Sequence, residues 1–216
     1  GWRVQQTLLR EATESDLEQT VLHSRTPAYR AMAYHALVAE RSDRCYDLLL
    51  RKLSDSSTFT VASGDVWFDF DVASFMIDVT LDSESSMFTK EQQRHVDSLI
   101  LFSDGLEHLD KYAPASRLKG MDGLYGRLRE LHLSGTPNLL PIIAEYRNED
   151  DIPMIIDALR EYSVGLDNQG LNTEGLEGDT NSALYAIIGW NDDAFIPALE
   201  ELRDYELTRR YLDYNR

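Results

Sequence analysis

The chain has 216 residues, 43% of them hydrophobic and 27% charged, enough for a sizeable core and ordinary for a globular protein. Its 38 acids against 21 Lys and Arg leave a net charge of −17. That field repels phosphate backbones and anionic lipid, so no nucleic-acid partner is expected, whereas a cationic, neutral or metal partner suits it.

Arg127 with Arg129, and Arg209 with Arg210, are basic clusters too small to reverse this field. Acidity by itself also keeps a chain soluble. The lone cysteine, Cys45, excludes an intramolecular disulfide and reads as a small core residue. No run approaches the ~20 apolar residues of a membrane span. The chain begins Gly1-Trp2, as one does after loss of a leader or an upstream segment, and cytoplasmic and exported locations both stay open.

Helix starts are legible. Ser15 with Glu18, and Thr89 with Gln92, read as capping boxes. Thr26-Pro27 and Thr136-Pro137 each place a cap residue before a proline at the first helical position. After Pro27, a stripe of Tyr29, Met32, Ala33, Ala36 and Leu37 keeps the helical period; after Pro137, Leu139, Ile142, Ile143 and Tyr146 do the same. Short polar breaks then lead to second helices carrying Leu49, Leu50 and Leu53, and Ile152, Ile155, Ile156 and Leu159. A third pair starts at Thr180, breaks at Asn191-Asp192-Asp193 and resumes with Phe195, Leu199 and Leu202. Breaks this short make neighbouring helices antiparallel.

The second helices resemble one another. EDDIPMIIDALREY (149–162) lies over NDDAFIPALEELRDY (191–205) at an offset of 202 − 159 = 43 residues, within the ~40–47 residue period of two-helix repeats. TPAYRAMAYHALVAERSDRCYDLLLRKLSD (26–55) resembles the inner and outer helices of HEAT units, with Pro27, Arg30, Ala33, Leu37, Leu49, Leu53 and Asp55 at favoured positions; residues 179–206 repeat the arrangement. The resemblance implies an all-α fold over residues 1–216: a right-handed α-α superhelix of stacked antiparallel helix pairs, about four or five units, with a polar, tyrosine-rich final helix as its cap. Long loops are expected near 54–65 and 164–178, and residues 83–117 fit the repeat poorly.

Short motifs for zinc hydrolysis, thiol redox chemistry, nucleophilic hydrolysis, nucleotide binding and dinucleotide binding are absent. This weighs against an enzyme without removing one, and no cofactor is expected. Three segments carry candidate chemistry. The acidic loop holding Asp167, Asn168, Glu174, Glu177 and Asp179 could surround calcium with oxygens, although Leu171 and Asn172 break the EF-hand pattern. In GDVWFDFD, Asp71 suits a helix start, while Trp67, Phe68 and Phe70 either pack under a loop or form an exposed aromatic patch ringed by Asp65 and Asp69, suited to a basic or peptide partner. Gly120, Gly123 and Gly126 before Arg127 and Arg129 could hold an anion or simply permit a turn. His95 with Glu91 and His108 could share a metal only if helices bring them together, and His35 reads as exposed or hydrogen-bonded.

The expected function is a non-catalytic binding or scaffold module that engages a protein or peptide through the concave helical face and the long loops. The alternative is a metal- or small-ligand-binding helical domain or enzyme with a site built from the acidic loops.

Overall fold

The computed structural model describes the backbone of residues 11–63, 65–81, 86–169 and 177–201, and their side chains apart from those of 62, 63, 66, 161–169 and 177–182. Among the described residues there are eleven α-helices and one two-stranded antiparallel sheet, so the protein is mainly α-helical. The chain divides into two compact units, residues 1–110 and 111–216.

In the first unit, α1 (Glu14–His23) begins at Thr13. Thr13 has an extended backbone; its hydroxyl accepts from the Asp16 N–H, and the Asp16 carboxylate accepts the Thr13 N–H. The capping box expected at Ser15 and Glu18 is therefore displaced by two residues, because Ser15 already lies inside the helix. Helix α2 (Pro27–Ala39) does start at Pro27, without a hydrogen bond from the Thr26 side chain. Its buried stripe is Arg30, Ala33, Tyr34 and Leu37, turned by a residue from the expected one, and Tyr29 is 52% exposed. Tyr34 takes the central place because its hydroxyl finds partners there, donating to the Cys45 carbonyl at 3.2 Å and lying 2.9 Å from the Thr80 hydroxyl. Burial pushes its phenol well above the usual range.

Helix α3 (Cys45–Lys52) opens with Cys45, which is fully buried as expected. Burial, reinforced by the charge of Glu14, pushes its thiol up to about 12, so it stays a protonated packing group. After α3 the expected long loop is instead a hairpin: β1 (Thr58–Ser63) pairs antiparallel with β2 (Val66–Asp71). Its ends are stitched together, since Val72 N–H donates to the Ser57 carbonyl and Ala73 N–H to that of Asp55. The chain thus leaves the helical layer and re-enters it at one point, directly into α4 (Val72–Leu81). Helix α5 (Lys90–Phe102) is closed by the expected box, Thr89 with Gln92.

Helix α2 packs on α1 and α4, α3 packs on α4, and α1 also meets α3. Leu37, Leu49, Met76 and Ile100 belong to one buried cluster with almost no exposure. Burying each contributes roughly 1.5–3 kcal/mol. Two side chains at the foot of the hairpin join this layer by charge. Arg30 Nε lies 2.8 Å from Asp55 Oδ2, its Nη1 donates to the Ser24 carbonyl at 2.6 Å, and the Ser57 hydroxyl donates to Asp55.

In the second unit, α6 (Tyr112–Arg117) and α7 (Leu124–Leu133) precede α8 (Leu140–Ala144). Pro137 falls in a turn rather than starting a helix, because Asn138 has a positive φ of 62° that no helix accepts; Pro141, in the first turn of α8, takes that role. Asn148 caps a 3₁₀ turn (Glu149–Asp151) that runs into α9 (Ile152–Gln169). The second expected loop, 164–178, is corrected at both ends: residues 164–169 are helical, and α10 (Glu177–Trp190) begins before 178; the stretch between lies outside the described residues. Asp192 caps the next 3₁₀ turn (Asp193–Phe195), which leads into α11 (Ile196–Glu201). Helix α10 packs on α8 and α9, and α9 packs on α11. Ile155, Leu159, Ala183, Ile187, Phe195 and Leu199 fill this core. No helix among the described residues is long and apolar enough to cross a membrane.

Candidate functional site

In the hairpin, large aromatic groups face water close to carboxylates. Strand geometry explains how. The register pairs Phe59 with Phe70, Val61 with Phe68, and Thr60 with Asp69. Alternation then puts Phe59, Val61, Phe68 and Phe70 on one face, and Thr60, Trp67, Asp69 and Asp71 on the other.

The apolar face is seated only at its base. Phe59, Phe70 and Phe75 of α4 form a triangle with ring centroids 5.4 to 6.2 Å apart, and His35 of α2, exposed as expected, meets the edge of Phe75 at 6.2 Å. Phe68, further towards the turn, is 47% exposed. On the opposite face Trp67 is 72% exposed. Of the two readings of this segment, packing under a loop holds for Phe70, and exposure holds for Trp67 and Phe68.

The acids around these rings have different work. Asp71 serves the helix start, as its place in the sequence implied: it accepts from the Ser74 N–H at 2.8 Å and from the Ser74 hydroxyl at 2.7 Å. His108 Nε2 lies 3.9 Å from the same carboxylate. Asp69 is exposed and takes a 2.6 Å hydrogen bond from the Thr60 hydroxyl across the ladder. Asp65, in the turn, is exposed. From Leu53 to Thr89 the chain has seven acids and no Lys, Arg or His. That uninterrupted charge is the signal by which sequence reasoning could have singled the hairpin out. Arg30 and Lys52, at the foot of the hairpin, both pair with Asp55.

The remaining candidates are dispersed. Asp167 and Asn168 lie on the last turns of α9, and Glu177 and Asp179 on the first turn of α10, so they do not belong to one loop as expected; their side chains, and Glu174 altogether, lie outside the described residues, as do Leu171 and Asn172. Gly123, with a positive φ of 77°, is the residue before α7, as a turn requires. The guanidiniums beyond it are taken: Arg127 pairs with Glu130 at 2.7 Å and Arg129 with Asp151 at 2.9 Å. His95 Nδ1 meets the Tyr46 hydroxyl. Among the described residues no group of three or more His, Cys, Asp or Glu is placed to hold a metal ion.

Sequence reasoning missed Asp151. It has no exposure, accepts the Tyr125 hydroxyl at 2.8 Å and lies against Arg129, while Asn148 donates to the same Tyr125 oxygen at 2.6 Å. The Tyr146 ring lies against Tyr125, tilted by 40°, with centroids 5.0 Å apart. Burial, with the Asp151 hydrogen bond, raises the Tyr125 phenol. The knot ties the start of α9 to α7 and is structural, since its partners are consumed within it.

What these features define is a mainly α-helical protein of two compact units with an acidic, aromatic hairpin on the first. No family model, curated protein or solved structure matches the chain.

Proposed function

We propose that the protein is a non-catalytic binding module built on a HEAT-like, right-handed superhelix, and that it engages a protein or peptide through the β1–β2 hairpin together with the concave face of the helical stack. The exposure of Trp67 and Phe68, 72% and 47%, is the observation that carries the binding reading. Leaving two large aromatics in water at adjacent strand positions forgoes several kcal/mol of burial, roughly 1.5–3 for each such side chain. Aromatic anchors of this kind dominate binding at protein interfaces.

Three features support the stacked-repeat reading. Helices pack on the next but one in sequence, α2 on α4, α8 on α10 and α9 on α11, as inner and outer layers of successive pairs do. Arg160 of α9 and Glu201 of α11, the second helices of successive pairs, join at 3.2 Å. The hairpin re-enters the helical layer where it left it, so it interrupts the sequence of pairs without displacing them.

The test is site-specific photo-crosslinking. A photoreactive phenylalanine analogue replaces Phe68, and in a control chain the exposed Gln19 of α1. In extract of the source cells, discrete adducts at position 68 that are missing at 19 are expected. Equal labelling at both, or none at 68, removes the hairpin as the contact.

A further inference from the structure

We infer that the Trp67 face of the hairpin takes the cationic side chains of an extended Lys- or Arg-rich peptide. The inference rests on the docking reading above and names the partner's chemistry. Its physical basis is the two-residue period of β2. Trp67 and Asp69 share one face, the turn residue Asp65 precedes them by the same spacing, and all three are exposed. Residues two apart on a strand lie about 7 Å from one another. An exposed indole therefore stands one strand repeat from the Asp69 carboxylate, at the spacing at which an extended peptide presents alternate side chains, with the exposed Asp65 in the adjoining turn.

Each group supplies a different part of cation recognition. The indole face attracts a guanidinium or ammonium through its quadrupole, with Trp the strongest of the aromatic rings for this. The carboxylates supply countercharge, and the Thr60 hydroxyl holds Asp69 in place, which lowers the entropy lost on binding. No resident cation competes from the same segment, because no Lys, Arg or His occurs between Lys52 and Lys90, and Lys52 is paired with Asp55. The field of seven acids in that stretch steers a basic segment in and turns phosphate-bearing surfaces away. Phe68, on the reverse face, offers the apolar contact that a partner wrapping the hairpin would cover.

The experiment uses the full chain and three labelled peptides of equal length, alternating Lys-Ser, Gln-Ser and Glu-Ser, followed by fluorescence anisotropy at low and high salt. The Lys-Ser peptide is expected to bind about tenfold or more tightly than the other two. Trp67→Ala is expected to weaken it by about fivefold, within the range of a partly exposed cation–π contact. Asp69→Asn is expected to weaken it about threefold and to flatten its salt dependence. Lys-Ser binding left unchanged by Trp67→Ala would mean diffuse attraction to the net charge of −17 and would overturn the inference. So would Gln-Ser binding as tightly as Lys-Ser, or self-association through position 68 in place of peptide binding. The two claims separate cleanly: position-68 crosslinks to a partner without basic segments keep the docking reading and sink the cationic one, whereas absent crosslinks sink the docking reading itself.

Discussion

Both units bury an aspartate against an arginine, and they do so with opposite asymmetry. In the first unit the Arg30 and Asp55 side chains are almost equally hidden, 9% and 11% exposed, and each has a further partner, the Ser24 carbonyl and the Ser57 hydroxyl. In the second, Asp151 has no exposure while Arg129 is 36% exposed. In neither pair does the close Nε–carboxylate approach make an aligned hydrogen bond. The first pair is nonetheless tied by a hydrogen bond, Arg30 Nη2 donating to Asp55 Oδ1 at 3.0 Å, whereas charge and burial set what the second contributes. The cost of breaking such a pair depends on which member can retreat into water.

The largest effects should expose this difference. Arg129→Ala strands a fully buried carboxylate and should cost about 3–5 kcal/mol, whereas Asp151→Asn leaves an arginine that can swing outwards and should cost only about 1–2. In the first unit neither member can retreat, so Arg30→Ala and Asp55→Ala should both fall at about 3–5 kcal/mol. Urea unfolding of the four variants decides it. Equal losses for the two second-unit variants would mean that the exposure of Arg129 does not lower the cost of losing its partner. Core packing should show no such contrast: Leu49→Ala and Ile187→Ala, both without exposure, should each lose about 2–5 kcal/mol in the same assay.

Burial raises the Asp55 carboxyl, but the Ser57 and Arg30 hydrogen bonds outweigh it, and the net result lies below the usual value of 3.8. A carboxyl lowered on folding contributes stability above its unfolded pKa and loses it as pH falls through the folded value. The wild-type protein should therefore shed stability below about pH 4, and Asp55→Asn should flatten that part of the pH profile in thermal melts. Smaller still, Thr89→Ala removes a complete capping box at the start of α5 and should cost about 1 kcal/mol.

How much of this was legible in the sequence follows from the range of each interaction. Local chemistry was readable: Thr89 with Gln92, Pro27 at the start of α2 and the Asp71 cap of α4 all act within four residues. The misplaced box at Thr13 shows the limit of that reading, since two hydroxyl residues two apart compete and backbone conformation alone chooses. The hairpin was hidden by its flanks. Ser54, Ser56 and Ser57 resemble a loop, and the alternation of Phe59 and Val61 with Thr58 and Thr60 is short. Helix α9 outran its expected end because Ser163, Gly165, Asp167 and Asn168 are poor helix formers, and propensity is a weak guide once a helix is anchored by packing. Asp151 could not be found at all. Its partners Tyr125 and Arg129 lie more than twenty residues away, beyond any periodicity.

The smallest expected stability effect carries the functional test. Trp67 reaches water from the hairpin, makes none of the ring contacts that seat Phe59, Phe70 and Phe75, and belongs to neither buried cluster. Trp67→Ala should therefore change unfolding free energy by no more than about 0.5 kcal/mol. Phe75→Ala, by contrast, takes away the ring on which the hairpin rests and should cost about 3 kcal/mol or more. A residue kept for the fold should pay in stability when truncated, and one kept for a partner should pay only in binding. If Trp67→Ala lowers stability as much as Phe75→Ala does, the indole is part of the hairpin's seat and the docking surface loses its anchor. If stability holds while Lys-Ser peptide binding falls, the exposed tryptophan serves recognition and not the fold.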